Sequence, residues 1–129
     1  MDTVSEFLTR IRNAGLAKHE KVDVPCSNIR VGIANILQKN GYIRTFKVVR
    51  DNKQGMMRVY LRYNSKGEPV IRNLERVSTP GLRRYVGSKE IPNVRNGFGM
   101  TVLSTSKGIM SGDEAREQNL GGELLFQLW

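Results

Sequence analysis

The chain has 129 residues, of which 39% are hydrophobic and 26% charged. That composition supports one compact domain or two small lobes, and it excludes a disordered or fibrous chain. Twenty-one Lys and Arg stand against twelve Asp and Glu, a net charge of +9 that points to a polyanion, either nucleic acid or an anionic membrane surface.

The elements follow in chain order. MDTVSEFLTRIRN carries acids early and has no long apolar stretch, so it does not read as a secretory signal. Val4, Phe7, Leu8, Ile11 and Ala14 fall at helical spacing, which predicts a helix over 4–14. Thr3 and Glu6 have capping-box spacing, with Asp2 as an alternative cap, and Gly15 is a stop signal. His19 lies in the polar stretch AKHEK and has no recognisable partner for base catalysis. VDVP, 22–25, predicts a short strand. Cys26 is the single cysteine, so the chain forms no internal disulfide, and one histidine beside it makes no zinc site. Ser27 caps a second predicted helix, with Ile29, Ile33, Ile36 and Leu37 on one face and Gly41 at its end.

YIRTFKVVR (42–50) and MMRVYLRY (56–63) predict two strands joined by the hairpin loop DNKQG. In the second strand Met57, Val59, Leu61 and Tyr63 share one face and Arg58, Tyr60 and Arg62 the other. A basic and aromatic strand face suits stacking on nucleic acid, although an ordinary solvated sheet has the same pattern. NSKGEP (64–69) is the clearest boundary, dividing the chain into lobes 1–64 and 65–129.

In the second lobe VIRNLERV and FGMTVL read as strands, and STPGLRRY contains a Pro-Gly turn. Ser111 and Glu114 cap a short helix, SGDEAREQ. ELLFQLW ends the chain as a strand in which Leu124, Phe126 and Leu128 face inward. The predicted fold class is α+β. The first lobe runs helix-strand-helix-strand-strand, and the second is mostly β with one short helix. The positive charge is spread through these elements, net +7 over 1–64 and +5 over 65–107, whereas 108–129 carries −3. Such a distribution predicts a folded basic surface rather than a basic tail. No helix pairs a broad apolar face with a strongly basic one, which argues against a membrane surface as the polyanion.

STSKG, Ser104–Gly108, admits several readings. Ser104 and Lys107 have the S-x-x-K spacing of serine acyl-transfer enzymes, but S-D-N and K-T-G are both missing. The Walker pattern is absent, because Ser106 precedes Lys107, and GFG (97–99) is only a fragment of a dinucleotide fingerprint. Small hydroxyls, a lysine and a glycine also suit RNA. They can bond ribose hydroxyls, base edges and phosphates while the backbone approaches closely. A plain polar turn is the remaining reading.

A longer pattern bears on the choice. GFGMTVLSTSKGIMSGDEAREQNLGGELLFQLW, Gly97 to Trp129, resembles the C-terminal signature of the bacterial-type eighth small-subunit ribosomal protein family. LTRIRNA (8–14) and TPGLRRY (79–85) are also similar to that family, and the resemblance runs over essentially the whole chain. It implies a two-lobed α+β protein of the cytoplasmic small ribosomal subunit that binds the central domain of its RNA early in assembly. It further implies contacts with neighbouring ribosomal proteins (five and twelve of that subunit), no catalytic role and no cofactor. In some bacteria the family represses its own operon by binding a mimic of the same site on messenger RNA.

Carried over by position, the resemblance implies an RNA-reading loop of Ser104, Thr105, Ser106, Lys107 and Gly108, with Gly122 and Glu123 beside it. Tyr85, Arg83 and Arg84 match a basic-aromatic segment. Asn28 and Arg30 fall at the start of the second helix, where relatives often carry lysines, and Lys53 matches a basic position of the hairpin loop. Asn28 lacks the charge of a lysine, which Arg30 is placed in sequence to replace.

Overall fold

The computed structural model describes residues 3–49, 55–94 and 97–129. They form two compact units, Thr3–Arg72 and Asn73–Trp129. The fold is α+β, as expected, and the described residues form three α-helices and two antiparallel sheets.

The first unit contains α1 (Thr3–Leu16), β1 (Lys21–Pro25), α2 (Asn28–Lys39), β2 (Ile43–Val49) and β3 (Met56–Leu61). Its strands pair antiparallel in the order β1-β3-β2. The apolar stripe of α1 is buried at Val4, Phe7, Leu8, Ile11 and Ala14, and α1 packs on β1 and α2. Ser27 caps α2 by accepting from the Arg30 backbone N–H at 3.3 Å. Strand β3 alternates as expected, with Met57, Val59 and Leu61 buried. Full burial of a side chain such as Phe7 stabilises the unit by about 1.5–3 kcal/mol relative to leaving it in water.

The second unit contains β4 (Leu74–Arg76), β5 (Tyr85–Val86), a 3-10 turn at Ser88–Glu90, β6 (Met100–Thr105), β7 (Gly108–Ser111), α3 (Gly112–Glu117) and β8 (Gly122–Leu128). The sheet runs β4-β8-β6-β7, and β5 also pairs with β8. Ile91, Leu103, Met110, Ala115 and Leu124 make a core between the sheet and α3. Ser111 caps α3 by accepting from the Glu114 N–H at 3.2 Å.

Two features differ from the sequence reading. Strand β7 occupies the stretch between STSKG and the short helix, to which the sequence reading assigns no element. Strand β8 does not simply alternate, because Leu125 is buried along with Leu124 and Phe126. The register explains this. Val102 pairs with Phe126 but Leu103 pairs with Leu124, so Leu125 is the extra residue of a β-bulge.

Candidate nucleic-acid interface

Strand β8 brings the sequence-predicted residues of the second unit together. Glu123 stands opposite Ser104 on β6 and opposite Tyr85 on β5. Directly opposed residues of antiparallel strands project to the same face. Tyr85, Glu123 and Ser104 therefore form a row across the sheet, although they lie far apart in sequence. Gly122 makes the close approach of β6 and β8 possible, because a Cβ there would lie 2.2 Å from the Ser104 carbonyl oxygen. Gly122→Ala is expected to lower stability by about 1–3 kcal/mol, visible as a lower urea midpoint. A midpoint equal to the wild type would mean that the strands separate there at no cost.

STSKG is a tight hairpin turn. Thr105 pairs with Gly108, and Ser106 and Lys107 occupy the tip. Gly108 has φ of +108°, which a glycine adopts without strain. The Thr105 hydroxyl donates to the Gly108 carbonyl at 2.9 Å and accepts from the Lys107 N–H at 3.1 Å. Of the three hydroxyls expected to face a ligand, that of Thr105 therefore closes the turn. Ser106 and Lys107 are exposed, and Ser104 is half-buried in the row with Glu123.

Glu123 is held on two sides. Its Oε2 accepts from the Ser78 hydroxyl and from Arg83 Nη1, the latter at 2.9 Å. Burial pushes the carboxyl up. The hydrogen bonds from Ser78 and Arg83 and the charges of Arg83 and Arg76 outweigh burial and hold it below the ordinary glutamate range. A carboxyl held low contributes stability that is present above its unfolded-state pKa and is lost as pH falls through the folded value. Glu123 is accordingly a fixed anion at neutral pH. Tyr85 is 71% exposed, and Arg83 and Arg84 are exposed beside it. Three cations (Arg83, Arg84 and Lys107), an open aromatic ring, two serine hydroxyls and an oriented carboxylate are thus carried by the strands and hairpin around this row. Such a set can stack on a base, neutralise phosphate and accept from an amino or hydroxyl group.

The residues expected in the first unit are placed differently. Asn28 is exposed at the first position of α2. Arg30 is not on the surface: it is 4% exposed. Its Nη1 donates to the Pro25 carbonyl at 2.7 Å and its Nε to the Thr3 carbonyl at 3.3 Å, while Nη2 pairs with Glu6 at 3.5 Å. Arg30 joins α1 to the start of α2, so it does not replace a surface charge at Asn28. Lys53 lies outside the described residues. The basic face of β3 is engaged within the unit. Arg58 grips both oxygens of Asp23 at 2.8 and 3.1 Å, Lys47 lies 5.6 Å over the Tyr60 ring, and Arg62 donates to the Gly41 carbonyl.

Sequence reasoning missed Ser78. It reads as a turn residue before Thr-Pro-Gly, yet it is fully buried. Its partner Glu123 lies 45 positions away, and no local pattern connects the two. For the acyl-transfer reading, Ser104 sits within a strand and Lys107 at a hairpin tip, and among the described residues no hydrogen bond joins them.

The whole chain behaves in comparison as its signature suggested. Residues 2–129 match the family model described as Ribosomal protein S8. The chain belongs to that family. It is 64% identical over 129 residues to the small ribosomal subunit protein uS8 of Bdellovibrio bacteriovorus, covering all of both chains. To the uS8 of Geobacter metallireducens it is 55% identical over 128 residues, covering 99% of this chain and 97% of the relative. To that of Streptococcus pneumoniae it is 51% identical with the same coverage. Members of the S8 family are structural proteins of the small ribosomal subunit, and this chain is one of them. Among the described residues no helix is long and apolar enough to cross a membrane.

Proposed function

We propose that this protein binds the central domain of small-subunit ribosomal RNA directly and early, and so helps to assemble the platform of the subunit. The reading surface is the row of Tyr85, Glu123 and Ser104, extended by Ser106, Lys107 and Gly108 of the hairpin and by Arg83 and Arg84. The observation that carries this reading is the strand register: it gathers residues from three strands onto one face, each of a type that RNA recognition uses. Lys107, Arg83 and Arg84 supply salt-sensitive affinity, and Glu123 with the serine hydroxyls supplies site preference. Asn28 and Lys53 are proposed as further contacts. Neighbouring ribosomal proteins, five and twelve of the subunit, are the proposed protein partners. A mimic of the RNA site on the protein's own messenger would compete for the same surface, which is how autorepression would operate.

Lys107→Ala tests the electrostatic part. It should weaken binding to a central-domain RNA fragment and to a scrambled RNA alike, and reduce the slope of log K against log salt by about 1. An unchanged slope would remove Lys107 from the interface.

A further inference from the structure

We propose that Ser78 is a positioning residue for RNA recognition: it aims the Glu123 carboxylate and locks the Arg83–Tyr85 segment to it. The proposal rests on the RNA-binding reading above and assigns a role to a residue outside the predicted surface. Ser78 is fully buried, so it acts through the residues it bonds and not by touching a ligand. Its hydroxyl is used in both directions, donating to Glu123 Oε2 and accepting from the Arg84 backbone N–H at 3.2 Å. One oxygen thereby joins the strand that carries the carboxylate to the segment that carries the two arginines and the tyrosine.

Ser78 is itself fixed by the bulge in β8. The Leu125 carbonyl accepts from the Val77 N–H at 3.0 Å and from the Ser78 N–H at 3.3 Å. One residue before it, the Leu124 N–H donates to the Arg84 carbonyl at 2.9 Å. A regular strand offers one outward carbonyl per two residues along an edge, and the extra residue re-aims the backbone at this point. The bulge, the buried hydroxyl and the carboxylate therefore form a chain of hydrogen bonds that reaches the exposed Arg83.

The chain of bonds has a chemical consequence. The bonds from Ser78 and Arg83 both reach Oε2. Among the described residues no hydrogen bond reaches Oε1 of Glu123. With Oε2 held from two directions the carboxylate cannot rotate freely, and its other oxygen is held in one orientation on the strand position that stands opposite Ser104 and Tyr85. A pre-oriented acceptor discriminates among ligand donors, whereas a rotating one accepts from any donor within reach. The ligand group it would take is an N–H or O–H donor, a base amino group or a ribose 2′-hydroxyl, adjacent to a stacked base.

The test is a double-mutant cycle on the intact protein. Wild type, Ser78→Ala, Glu123→Ala and the double variant are titrated with a central-domain RNA fragment and with a scrambled RNA of equal length, and each variant is melted in parallel. Ser78→Ala is expected to lower the cognate-to-scrambled affinity ratio about tenfold. In the Glu123→Ala background the same change should alter that ratio by less than about twofold, because there is no carboxylate left to aim. An equal fall of the ratio in both backgrounds, or equal losses on both RNAs, would show Ser78 to be structural only and overturn the proposal. Should Ser78→Ala fail to fold, Ser78→Cys, similar in size but a weak donor, carries the same comparison. If wild type itself fails to discriminate between the RNAs, the binding-site reading falls and the role of Ser78 with it. Discrimination that survives in Ser78→Ala overturns the role of Ser78 alone.

Discussion

Glu123→Ala should weaken binding to central-domain RNA by roughly tenfold to a hundredfold while leaving binding to a scrambled RNA unchanged or slightly tighter. The asymmetry follows from the sign of the charge. A carboxylate on a protein of net charge +9 works against every phosphate that approaches. Its removal cannot reduce affinity that comes from charge alone. It can reduce only affinity that depends on a donor placed opposite it. Hydrogen bonds to charged groups are worth about 1.5–3 kcal/mol, which sets the size of the expected loss. Because Ser78 and Arg83 would also lose their acceptor, the melt of the variant should be compared with the wild type so that binding is measured on folded protein. Titrations at one salt concentration decide the matter, and equal changes on both RNAs would remove Glu123 from sequence or shape discrimination.

The largest expected loss of stability is at Arg30. Arg30→Ala should destabilise the protein by about 3–5 kcal/mol, since it strips a buried cation from its partners. The Thr3 and Pro25 carbonyls and the Glu6 carboxylate would lose donors that the alanine cannot replace. A fall in the melting midpoint of about 10 °C or more should follow. Arg30→Lys should recover part of this loss, because an ammonium has the charge but not the planar fork that reaches two carbonyls and a carboxylate at once. Below its melting range Arg30→Ala should bind RNA with the wild-type salt slope. A reduced slope in a variant of normal stability would mean that Arg30 meets phosphate after all.

The contrast between Arg30 and Glu123 shows what local sequence can carry. Helix α1 is legible because Val4, Phe7, Leu8, Ile11 and Ala14 repeat at helical spacing, and α2 because Ser27 precedes a similar stripe. Strand β3 is legible from its strict alternation. STSKG and the Gly-Gly-Glu run are visible as motifs. Their meaning depends on pairings that no window contains. Tyr85 meets Glu123 only through β5, a strand of two residues that is too short to show a period. Strand β7 was hidden because a two-residue hairpin tip, Ser106–Lys107, leaves little between one strand and the next. The bulge at Leu125 breaks the alternation from which β8 is read. Arg30 reads as a surface cation because arginine at a helix start usually is one, and only the folded carbonyls of Thr3 and Pro25 make its burial tolerable. Ser78 gave no signal for the same reason: its role is set entirely by distant partners.

A face that reads a particular RNA behaves differently from one that merely attracts polyanions. A titration of the purified wild-type protein against a central-domain RNA fragment and a scrambled control, at two salt concentrations, separates the two. The expected result is a preference for the fragment of at least roughly a hundredfold, retained at the higher salt. Equal and steeply salt-dependent binding to both RNAs would contradict it, and the hairpin at Ser104–Gly108 would then be a turn and nothing more.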